Sequence, residues 1–184
     1  MNYLRGFLPW ILFSVVSDYD WRWAALLALV LSVGLMLWDR RAGARIDAQI
    51  LDIGSIVFFV ALAVFAFAVP NSPLRQYDGG LSGVWLALLA WASLALRRPF
   101  TMGIARRQTP PEVWSTPRFK HTNVVITLAW TIALSGTAIC AMAGDALNAP
   151  FIFRAAYSVI GYGGAIWFTR QYVAKIRASV SPAE

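Results

Sequence analysis

The chain contains one cysteine and one histidine, and only 14% of its residues are charged. Cys140 alone allows no disulfide framework, no CxxC pair and no cysteine metal cluster. His121 alone allows no HExxH site, and the sequence holds neither a GxSxG elbow nor a glycine-rich phosphate loop. Side-chain catalysis has few raw materials here: no catalytic residue, metal ligand set or cofactor site is expected. Low-complexity tracts and clear internal repeats are missing as well, so the matched halves of an inverted-repeat transporter are not seen.

Apolar residues fill that space. They make up 59% of 184 residues, with nine tryptophans and eleven phenylalanines, far from the usual soluble mix. Five runs, about 21–38, 52–69, 79–96, 123–144 and 150–169, approach the 20 residues that a helix needs to cross a bilayer. Hydrocarbon satisfies no backbone polar group, and these runs are too uniformly apolar for the alternating strands of a barrel. The expected fold is all-α, a polytopic integral membrane helical bundle forming a single domain over 1–184.

The basic residues alternate between connections. Arg40, Arg41 and Arg45 follow the first run, Arg75 stands alone in the second connection, and six more crowd the third. The fourth connection, 145–149, has none, and Arg170, Lys175 and Arg177 mark the tail 170–184. The positive-inside rule places the loop 97–122 and the C-terminus in the cytoplasm, so a multi-pass membrane protein is expected. In that setting a formal charge of +7 points to anionic lipid rather than nucleic acid.

Residues Phe7 to Val16 are harder to place. A ten-residue helix reaches about 15 Å, half the hydrocarbon thickness, and no small-residue cleavage pattern follows it, so the segment is expected to be retained. A short interfacial or re-entrant helix on the outer side, with Pro9 in its first turn, is the simpler expectation. The competing one is a strained sixth span with the N-terminus inside.

Polar residues near the runs are few. Asp47 and Asp52 flank the second run, and Asp52 suits either a helix N-terminus or a buried functional carboxylate. His121 and Asn123 sit where the fourth run begins. Arg154 can snorkel to the outer headgroups, and Gly136, Cys140, Gly144, Gly161, Gly163 and Gly164 form small-residue faces that permit close helix approach or self-association into a homo-oligomer.

The segment RRPFTMGIARRQTPPEVWSTPRFKHTN, residues 97–123, concentrates six of the sixteen basic residues, four of the nine prolines and the only histidine. Pro99 stops the preceding span, FTMGIARRQ can form a short amphipathic turn on the inner leaflet, and Pro110 and Pro111 break it. Arg97, Arg98, Arg106, Arg107, Arg118 and Lys120, with Trp114 as interfacial anchor, are the candidate lipid-contacting residues. A solvated loop that merely enforces topology is the plainer alternative.

FLPWILFSVVSDYD, RRPFTMGIAR, PPEVWSTPRFKHTN and ITLAW together resemble the small bacterial inner-membrane proteins grouped with intracellular septation protein A, over most of the chain and in the same order. Pro99, Trp114, Asn123 and Trp130 are the matching positions, with a wider tryptophan spacing that implies a divergent branch. The resemblance implies about five spans and a non-enzymatic part in cell-envelope integrity, membrane homeostasis or septation, with envelope or division proteins as partners. Two readings stand beside it. One is a small channel or transporter with a polar cavity near Asp52, Asn123 and His121; the other is an embedded enzyme acting on lipid.

Overall fold

The computed structural model describes residues 5–41, 50–106 and 108–178, and every regular element among them is a helix. The helices are α1 (Leu8–Val16), α2 (Trp21–Arg41), α3 (Ile50–Ala68), α4 (Asp78–Ala95), α5 (Phe100–Arg106), α6 (Pro117–Ala146) and α7 (Phe151–Ala178). Four stretches are long and apolar enough to cross a membrane: Trp21–Arg41, Ile50–Ala68, Pro73–Ala95 and Pro117–Ala146. α7 has the length, but Arg154 and three glycines dilute its apolar content, so the expected fifth span is not among the four.

Helix ends follow local chemistry. Thr116 accepts the Phe119 N–H at 3.2 Å, with Pro117 in the first turn, and so starts α6. α6 therefore begins six residues before the apolar run at 123; its first turns carry charge but continue the same rod. α4 ends in a reversed turn in which the Arg97 N–H reaches Leu94 O at 2.9 Å and the Arg98 N–H reaches Ser93 O at 2.8 Å. Arg97 adopts φ 54 there, a left-handed conformation that glycine fills with least strain. Asn148, at φ 49, does the same after α6, and asparagine tolerates it better.

The tightest pairing is α4 on α6. A methyl on Gly83 would stand 3.1 Å from the Ala138 Cα, so the two backbones meet where only hydrogen fits. α7 packs on α6 through Gly161 against Thr137. Of the other expected small-residue positions, Gly144 meets Phe153, whereas Gly136, Gly163 and Gly164 face open space.

α1 departs from expectation. Trp10 and Phe13 are buried; Trp10 stacks on Phe58 and Phe59 at ring distances of 5.1 and 4.8 Å and donates its indole N–H to Ser55 Oγ at 2.9 Å. Phe7 stacks on Trp130 at 5.5 Å, and Arg5 pairs with Asp39 at 3.6 Å. At the other end Ser17 comes within interaction range of Asp78. The arrangement of five spans plus an interfacial or re-entrant first helix is thus not confirmed. α1 is too short for its length to place it, and Trp10 and Phe13 pack one side of it lengthwise against α3.

The basic end as candidate functional site

Charge is segregated along the bundle. One end, where α2 and α4 finish and α6 starts, carries Arg5, Arg40, Arg41, Arg97, Arg98, Arg106, Arg118 and Lys120, joined by Arg170, Lys175 and Arg177 on α7. Only Asp39, Asp52 and Glu112 offset them among the described residues. The opposite end carries Asp18, Asp20, Asp78 and Asp145, with Arg22, Arg75 and, in the first turn of α7, Arg154. There the Arg22 guanidinium hydrogen-bonded to Asp20, at 2.6 Å, holds that carboxyl down from an ordinary 3.8 to about 2. Asp145 is buried and accepts the Gly80 N–H at 2.8 Å, capping the first turn of α4.

The basic end is built on α5. Instead of lying flat on a leaflet, α5 buries Phe100, Thr101 and Gly103. The Thr101 hydroxyl donates to Asn123 O at 3.1 Å and meets the Thr127 hydroxyl at 2.6 Å. Asn123 is 2% exposed and donates its amide N–H to Phe119 O at 2.8 Å. Ser93 adds a second tether by accepting the Phe100 N–H at 3.3 Å. Thr101, Thr127 and Ser93 were not singled out from the sequence, although a signal was present: Asn123, Thr127, Thr131 and Ser135 recur every fourth residue, one polar stripe down α6.

The loop beyond α5 is fastened by Trp114. Its indole N–H donates to Thr109 O at 3.1 Å, and the Arg106 guanidinium lies 5.5 Å from the ring centre, a cation–π contact. Trp114 is half-buried and serves as a staple within the loop. Arg118 reaches across to Ile176 O at 3.0 Å and ties α6 to α7. Arg97, Arg98, Lys120 and His121 are exposed. Asp47 and Arg107 lie outside the described residues.

An apolar crevice at the basic end has none of Asp52, Asn123 and His121 in its walls. Asp52 is half-buried with an interaction of its own, Asn123 is engaged inside the bundle, and His121 faces outward. The shallow crevice is walled by apolar side chains including Phe7, Leu51, Leu89, Phe100 and Leu134, and it has no room for a water molecule. No three His, Cys, Asp or Glu among the described residues converge to hold a metal ion. What this end can do chemically is present positive charge at a fixed height. No protein-family model, curated protein or solved structure matches the chain.

Proposed function

We propose that this chain is a non-enzymatic multi-pass protein of a bacterial inner membrane whose basic end, facing the cytoplasm, holds the phosphates of anionic phospholipids. Through those lipids, or through envelope and division proteins gathered at the same end, it supports envelope integrity, membrane homeostasis or septation. The excess of cations over carboxylates at this one end carries the reading. Each Lys or Arg near an anionic leaflet contributes about 1 kcal/mol of attraction, and Arg97, Arg98 and Lys120, all exposed, share this end of the bundle with the exposed Arg40 and Arg41. Arg5–Val16 adds a short crossing to the five longer helices and brings the N-terminus to the basic side.

Neutralising Arg97, Arg98, Arg106, Arg107, Arg118 and Lys120 tests the lipid contact. Because Arg106 and Arg118 also brace the loop, a smaller variant, Arg97→Gln with Arg98→Gln and Lys120→Gln, separates binding from folding. Loss of co-purifying cardiolipin or phosphatidylglycerol with insertion unchanged is the expected result. Unchanged lipid content in both variants refutes the lipid contact and leaves the loop as a topological signal.

A further inference from the structure

We propose that the bundle presents a shortened hydrophobic belt on its α1 side and draws the leaflet at the acidic end inward there, so that this face fits a locally thinned lipid surface. The inference rests on Arg5–Val16 being a crossing, as proposed above.

The heights follow from a rise of about 1.5 Å per helical residue. α1 and α3 share a level at the basic end: Arg5 pairs with Asp39 at 3.6 Å, and a methyl on Gly6 would stand 3.0 Å from Leu51 Cδ2. From Gly6 to Ser17 the chain climbs about 17 Å, whereas from Leu51 to Pro70 it climbs about 28 Å. α4 supplies a second measure. Gly54 lies against the Leu89 side chain, and from that level Asp78 is about 16 Å up α4 while Pro70 is about 24 Å up α3. Ser17 lies within interaction range of the Asp78 carboxylate, and Asp145 closes on Gly80. Polar groups from three segments thus meet at one level, about 8 to 11 Å below the top of α3.

A hydrocarbon layer of about 30 Å fits α3. It overreaches α1, whose outward strip is Leu8, Ile11 and Val15, exposed by 39%, 50% and 63%. Ser17 is followed by the exposed Asp18, and leaving a carboxylate in hydrocarbon costs far more than bending the bilayer by several ångström. The leaflet yields, and the belt becomes tall along α3 and short along α1.

Val15 and Val60 are both exposed and, counted from Gly6 and Leu51, both stand about 13 Å above the shared level. Nitroxides on Val15→Cys and Val60→Cys, in a Cys140→Ser chain reconstituted in dioleoyl phosphatidylglycerol and phosphatidylethanolamine, read their depths. The expected result is an oxygen-to-nickel-chelate collision ratio several-fold lower at Val15, with the gap narrowing in dimyristoyl lipids. Ile11→Cys provides an independent probe on the same strip. Equal ratios at Val15 and Val60 overturn the thinning. An impermeant maleimide on Asn2→Cys tests the underlying crossing separately. Labelling from the acidic side overturns the crossing and this inference with it; labelling from the basic side with equal depth ratios overturns the thinning alone.

Discussion

Replacing Thr101 by valine removes one hydroxyl from the joint that holds α5 in the bundle. That hydroxyl donates to Asn123 O at 3.1 Å and meets Thr127 Oγ at 2.6 Å, with both threonines essentially inaccessible. A buried hydrogen bond contributes about 0.5–1.5 kcal/mol, and a stranded partner costs about 1–3 kcal/mol. Interhelical bonds in membranes average nearer 0.6 kcal/mol, because the unfolded chain also finds partners there. Thr101→Val should therefore cost about 1–2 kcal/mol, read as a shift in thermal or denaturant unfolding in detergent micelles. Thr127→Val should cost about as much, and the double variant little more than either alone, since the second substitution removes the group that the first left unpaired. Proteolysis of the loop around Gln108 should accelerate alongside. A loss below about 0.3 kcal/mol with strictly additive variants would refute the claim that this pair holds α5.

Three further outcomes follow from local geometry. Gly83→Ala places a methyl 3.1 Å from the Ala138 Cα and should destabilise by about 1–3 kcal/mol, while Gly163→Ala, with nothing within 4 Å, should stabilise by up to about 1 kcal/mol through helix propensity; unfolding midpoints compare the two directly. Arg97→Gly relieves the left-handed φ of 54 and should raise stability by about 1 kcal/mol, measured in detergent so that insertion does not enter. Asp20, lowered to about 2 by Arg22, contributes stability that is complete above its ordinary 3.8 and is lost as pH falls through about 2. The difference in unfolding temperature between wild type and Asp20→Asn should therefore be flat above pH 4 and shrink toward pH 2; a difference that changes between pH 5 and pH 8 would contradict this assignment.

The long helices were readable because hydropathy over about 20 residues is a local property, and helix starts such as Thr116–Pro117 carry their own signals. α1 was not readable in the same way. Ten apolar residues fit an interface or a core equally well, and the decision lies in Trp10 meeting Ser55 and Phe58, contacts more than forty residues apart that no window detects. The same limit applies at the basic end. Trp114 reads as an interfacial anchor from its neighbours, yet its indole N–H is taken by Thr109, and α5 looks amphipathic until Thr101 is seen against Asn123 and Thr127. Asn123 reads from the sequence as a polar residue at a span boundary; its engagement inside the protein is visible only with α5 in place.

The orientation of the charge-segregated bundle is the claim on which the functional reading depends. Side-specific maleimide labelling tests it in a Cys140→Ser chain carrying Gln108→Cys at the basic end or Tyr19→Cys, whose tyrosine is 85% exposed, at the acidic end. In sealed right-side-out vesicles an impermeant reagent should label Tyr19→Cys and spare Gln108→Cys, with the pattern reversed in inverted vesicles. Labelling of Gln108→Cys from outside, or of both positions from one side, would contradict the account.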